Sequence, residues 1–163
     1  MAFNLSINGQ NFIKLNELSM TSIPAGSQYL TPYMDPCQCQ YAIGWGHALP
    51  LNNPGGPITP EEAQNLFNQD TSNAVSTLDS TVHVPLNQNQ VDACSDYIYN
   101  AGSGAWEASG IPQALNAGDL NEAVERMRTT AGGCGLDAAR RAKDAALLSG
   151  TGSLQPNGTF VEQ

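Results

Sequence analysis

The chain has 163 residues and a mass of 17.2 kDa, with 6 Lys and Arg against 15 Asp and Glu, a net charge of −9 and an isoelectric point near 4.3. The length suits a single domain, and a hydrophobic share of 40% with only 13% charged residues supplies a core and excludes a disordered chain. An acidic surface without a Lys or Arg cluster repels phosphate backbones and anionic lipid heads, so nucleic-acid binding and electrostatic membrane attachment are disfavoured. No apolar run approaches the roughly 20 residues of a membrane span, and the opening MAFNLSINGQ lacks both the basic and the apolar region of a signal peptide.

Residues 6–20 carry Ile7, Phe12, Ile13, Leu15 and Met20 at three- and four-residue intervals, which predicts a short amphipathic helix ending near Glu17. Residues 21–36 read as a turn-rich loop holding Tyr29 and Tyr33. Tyr41, Ile43 and Trp45 then alternate with Ala42, Gly44 and Gly46, predicting one strand with a nearly bare second face, ended by His47. After the breaker-rich PLNNPGGP, Thr59-Pro60-Glu61-Glu62 is a capping box with proline at the first helical position. Ala63, Leu66, Phe67, Ala74, Val75 and Leu78 keep one face of the following long helix apolar.

Asn87 with Gln90 opens a further helix that turns Val91, Cys94, Ile98 and Ala101 inward and stops at Gly102. Shorter helices are expected over residues 112–116 and from Asp119, with Glu122 following, to about Thr129. Asp137 is expected to cap a last helix through Leu148, closed by Gly150, and the Gly, Ser, Pro and Asn tail 151–163 to drape over the surface. The layout is α+β and mostly helical, a single two-lobed domain with a small strand-containing lobe (about 1–58), a connecting helix (about 59–80) and a helical lobe (about 81–150).

Two carboxyls stand out for chemistry. Glu17 ends an amphipathic helix, where apolar neighbours favour the acid form, and Asp35 lies in a polar loop before the strand. Carboxyls in unlike environments are what glycosidic hydrolysis needs, one giving a proton to the leaving oxygen and the other activating water or attacking. The plainer reading makes both of them surface caps. Cys37, Cys39, His47 and Cys134 are ligand types for zinc, but Cys-x-Cys is tighter than a zinc knuckle, so no metal is expected and a disulfide from Cys37 or Cys39 to Cys134 is the stronger alternative. Cys94 falls on a core-facing stripe, and Tyr41, Trp45 and Trp106 could stack on sugar rings, although core packing is the commoner use of such aromatics.

Several segments occur in a telling order: Phe12-Ile13-Lys14-Leu15-Asn16-Glu17, Ala42-Ile43-Gly44-Trp45-Gly46-His47, Ile58-Thr59-Pro60-Glu61-Glu62-Ala63, Val84-Pro85-Leu86-Asn87-Gln88-Asn89-Gln90, Asn100-Ala101-Gly102-Ser103-Gly104-Ala105, Leu115-Asn116-Ala117-Gly118-Asp119, and Gly135-Leu136 leading to Arg140-Arg141. In this the chain resembles the phage-type lysozymes, the endolysins of glycoside hydrolase family 24, over about residues 6–148. The resemblance implies a lysozyme-like fold and inverting hydrolysis of the bond between N-acetylmuramic acid and N-acetylglucosamine in peptidoglycan, with no cofactor. It also implies Glu17 as general acid and Asp35 as the residue that, with a strand threonine, places the attacking water. Ala42 stands at the threonine's position, so either Gln40 or Tyr41 replaces the hydroxyl or the water is held less firmly.

The family's Glu-Gly step is Glu17-Leu18 here, and the intervals from Glu17 to Asp35 and from Asp35 to Ala42 are both longer than usual. The resemblance further implies that Arg140 orients the glutamate, that Asn100 contacts sugar beside Tyr41 and Trp45, and that His47 pairs with Asp70 in a structural ion pair. Its partner would be bacterial peptidoglycan, reached by a monomer released from the host cytoplasm through a phage holin or another lysis route. A catalytically weakened, lysozyme-like wall-binding or virion module is the competing reading, favoured by Ala42 and the enlarged loop.

Overall fold

The computed structural model of the protein describes residues 2–20, 27–35, 39–130 and 138–163. The chain clusters into two compact units: Asn16–Asp70, and a second assembled from Met1–Leu15 with Thr71–Gln163. Helix α1 (Ile7–Met20) runs beyond the end expected near Glu17. Its start is fixed by Ser6, whose Oγ accepts the Gly9 amide at 2.9 Å while its own amide and hydroxyl donate to Asp92 at 3.0 and 2.5 Å. A Cβ at Gly9 would stand 2.6 Å from the Asp92 carboxyl carbon, so this close approach requires glycine.

In the unit Asn16–Asp70, a 3-10 turn (Ser27–Leu30) precedes the strands β1 (Tyr33–Asp35), β2 (Gln40–Ile43) and β3 (His47–Ala48). They form an antiparallel sheet in the order β1-β2-β3, with Tyr33 opposite Ala42, Asp35 opposite Gln40 and Ile43 opposite His47. Two expectations are corrected here. The segment from Tyr41 to His47 is a hairpin and not one strand, because Gly44 at φ +61° and Gly46 at φ +93° reverse the chain through conformations that side chains resist. Part of the expected loop before it is strand β1. The unit's interior holds Ala42, Ile43, Ala63 and Phe67, and Trp45 closes it by stacking on Tyr29 (centroids 4.9 Å) and meeting Phe67 edge-on (5.5 Å).

Helix α2 (Pro60–Thr81) begins in this unit with the expected capping box: the Thr59 amide donates to Glu62 Oε2 at 2.7 Å and the Glu62 amide to Thr59 Oγ1 at 3.1 Å. It ends in the second unit, whose core gathers Phe3, Phe12, Leu78, Val91, Trp106, Ile111, Met127 and Leu147. There α3 (Gln88–Ala101) opens on a reciprocal Asn87 and Gln90 capping box and stops at Gly102. Cys94 lies on its buried stripe, with burial and then the nearby Asp144 charge pushing the thiol's pKa up. Helix α4 (Ser103–Ala108) was not expected; it carries Trp106 wholly into the core, its indole donating to Thr81 Oγ1 at 2.8 Å, which removes Trp106 as a sugar platform.

Helices α5 (Ile111–Asn116) and α6 (Leu120–Thr129) follow, the latter capped by Asp119 accepting the Glu122 amide at 3.0 Å. Helix α7 (Ala138–Ser149) closes the series, and its expected cap Asp137 lies outside the described residues. The tail is not a loose drape. Strands β4 (Gly152–Leu154) and β5 (Phe160–Glu162) pair as an antiparallel hairpin, turning at Gly158, where any side chain would collide with the backbone of Asn11 and Phe12. Asn11 Nδ2 donates to the Pro156 carbonyl at 3.1 Å, so a side-chain hydrogen bond from α1 helps hold the tail in place.

Candidate active site

Glu17 sits at the start of the last turn of α1, only 8% exposed despite its carboxyl. Its Oε2 lies 2.8 Å from where a Cβ on Gly46 would stand, so the glycine turn between β2 and β3 closes directly onto the carboxyl. Tyr33 reaches the same turn from β1, its hydroxyl donating to the Gly44 carbonyl at 3.3 Å. Burial first, then the negative charges of Glu17 and Asp35, push the Tyr33 pKa far up, against a weaker opposing hydrogen bond from Gly46. Both candidate carboxyls are therefore electrostatic neighbours of one phenol.

Asp35 is half-buried at the end of β1, opposite Gln40. Ala42 is buried within β2, so the position offers a methyl group. The amide nitrogen of Gln40 donates to the Leu49 carbonyl at 3.4 Å, committing one end of that side chain to the sheet. Tyr41 is half-buried on β2, and Trp45 spends its ring on Tyr29 and Phe67. The expected pair of His47 and Asp70 is present, Nδ1 to Oδ2 at 2.9 Å.

Arg140 and Asn100 belong to the other unit, where they join a network linking α3 and α7. Arg140 donates through Nε and Nη2 to the two oxygens of Asp96 at 2.8 and 2.7 Å. Arg141 donates to Asn100 Oδ1 at 2.8 Å, lies 4.5 Å from the Tyr97 ring centroid, and holds Nη1 3.3 Å from Asp144. Burial works to raise the Asp96 pKa, but the charge and hydrogen bonds of Arg140 prevail and hold it below the usual carboxylate value. Burial and the adjacent Asp96 charge hold Asp144 well above that value.

The unit Asn16–Asp70 thus contains Glu17, Asp35, Tyr41, Ala42, Trp45, His47 and Asp70, while Asn100 and Arg140 lie outside it. Tyr33, Asp96, Arg141 and Asp144 were missed. A signal existed for Tyr33, which stands two positions from Asp35 and so on the same face once the segment is a strand. Asp96 and Asn100 are one helical turn apart on the face of α3 opposite the expected apolar stripe, so the helical pattern gave no sign that Asp96 is buried. Among the described residues no three His, Cys, Asp or Glu converge to hold a metal, and Cys37 and Cys134 of the weighed zinc and disulfide alternatives lie outside those residues. Nor, among the described residues, is any helix long and apolar enough to cross a membrane.

A family model described as phage lysozyme matches residues 25–144, a stretch that takes in Asp35, Ala42, His47, Asp70, Asn100 and Arg140 and begins after Glu17. An endolysin of Bacillus phage B103 is 35% identical over 92 residues, which are 56% of this chain and 35% of that protein, so the chain spans about a third of that relative's length. Among solved structures, an endolysin from Escherichia coli O157:H7 phage FAHEc1 superimposes with a TM-score of 0.72 at 26% identity, covering 91% of this chain and 94% of its own. The muramidase domain of SpmX from Asticaccaulis excentricus follows at 0.69 and 27%, covering 89% and 97%. A family match over most of the sequence, together with a mostly helical fold carrying one small three-stranded sheet, makes this chain a member of the phage lysozyme family.

Proposed function

We propose that the protein is a peptidoglycan hydrolase, an N-acetylmuramidase that cuts between N-acetylmuramic acid and N-acetylglucosamine. The observation that carries the reading is the Glu17 carboxyl, only 8% exposed and seated against the Gly46 turn, in the same small unit as Asp35. Endolysin and muramidase relatives support the same substrate class. Glu17 gives its proton to the bridging oxygen as the bond to the anomeric carbon breaks, and Asp35 takes a proton from the water that attacks the opposite face, so the anomeric configuration inverts. Tyr41 contacts the sugars, and His47 with Asp70 braces the unit that holds the two carboxyls. Trp45, packed on both sides, contributes shape more than stacking.

In this reading the protein works as a monomer without a cofactor, on walls reached through a holin from the host cytoplasm. Purified peptidoglycan decides the matter: wild type clears a suspension and releases reducing muramic acid ends, and Glu17→Gln does not. A wild type that clears no faster than Glu17→Gln, yet sediments with the wall, is a binding module and not an enzyme.

A further inference from the structure

We propose that Tyr33 is a positioning residue for Glu17: its hydroxyl ties strand β1 to the Gly44 to Gly46 turn, and that turn holds the Glu17 carboxyl in place. The inference rests on reading Glu17 as the acid of a hydrolase. The turn that packs against Glu17 is built on Gly44 at φ +61° and Gly46 at φ +93°, residues with more backbone freedom than any others. A turn of that kind needs an external tie. Tyr33 supplies one across the sheet: its Cα partner is Ala42, and its hydroxyl donates to the carbonyl of Gly44 at 3.3 Å.

On its other side the turn leaves no room for a side chain between Gly46 and Glu17, the carboxyl oxygen standing 2.8 Å from a Cβ built there. Motion of the turn therefore becomes motion of the catalytic oxygen. The tie requires a neutral phenol, and burial with two carboxyl neighbours keeps Tyr33 protonated well beyond neutral pH. Displacement of an acid by about 1 Å can cost about a hundredfold in rate, and partial loosening less.

The test compares wild type, Tyr33→Phe and Glu17→Gln on purified peptidoglycan over a range of substrate concentrations, with thermal melts and amide hydrogen exchange on the same samples. Tyr33→Phe keeps the ring and loses only the hydroxyl. The expected result is a kcat about tenfold lower, a KM within about twofold of wild type, an unchanged melt and faster exchange at the Gly46 amide. Unchanged kcat in Tyr33→Phe beside a dead Glu17→Gln overturns the positioning role and leaves the hydrolase intact. So does a loss seen wholly in KM or in the folded fraction, or an unchanged Gly46 exchange rate. A wild type no faster than Glu17→Gln overturns the hydrolase reading and this inference with it.

Discussion

Arg140 grips Asp96 through two parallel hydrogen bonds of 2.8 and 2.7 Å, with side chains only 2% and 0% exposed. Breaking a buried pair from one side leaves an uncompensated charge, which costs about 3–5 kcal/mol. Asp96→Ala should therefore lower the melting midpoint by roughly 6–20 °C at neutral pH. Because the folded Asp96 pKa is depressed, its contribution is present above the unfolded value near 3.9 and disappears as pH falls through the folded one. A melt series should show the gap between wild type and variant shrinking in acid.

Asp144 predicts the opposite slope. Its folded pKa is raised, so its contribution is complete below the unfolded value and is lost as pH climbs to the folded one. Asp144→Asn mimics the protonated acid and cannot ionise. Its midpoint should exceed that of wild type at the alkaline end of a series from about pH 4 to 9, with a flatter profile between. Parallel profiles would contradict this.

Gly46→Ala attacks the proposed acid without touching a titrating group. The new Cβ would meet Glu17 Oε2 at 2.8 Å, and the residue must still adopt φ +93°. Activity on peptidoglycan should fall at least about tenfold, and stability by about 1–2 kcal/mol from the left-handed backbone alone. Gly104→Ala, where nothing stands within 4 Å, is the control and should keep wild-type rates.

Asn87→Ala removes half of a reciprocal cap at the start of α3. The loss should be about 1 kcal/mol, a drop of about 2–4 °C in midpoint, with no change in rate per folded molecule. A larger drop would mean that the cap also organises the segment before it.

What could be read from the chain depended on the range of the interactions involved. Thr59 with Glu62, Asn87 with Gln90, and Asp119 with Glu122 are partners three positions apart, so their helix starts were legible. The alternation from Tyr41 to Trp45 mimicked a strand because period-two patterning does not register a φ of +61° at Gly44. Strand β1 and the strands of the tail hairpin went unseen because each is only three residues long, too short for a period-two pattern, and the tail's seat on Asn11 and Phe12 is distant in sequence. The same holds for chemistry. Glu17 and Asp35 were visible through a resemblance, whereas Tyr33 becomes notable only once the sheet sets it beside both, and Asp96 only once Arg140 arrives from α7.

The tail hairpin also bears on how the molecule is made. Asn11 and Pro156 are 145 positions apart, and they meet within a unit drawn from both ends of the sequence. During synthesis, residues 16–70 leave the ribosome early and can pair their strands, while the opening segment waits with Phe3 and Phe12 uncovered until the helices of the second core emerge, and the hairpin's contact with Asn11 comes later still. Chaperone capture and aggregation of nascent chains should concentrate in that interval.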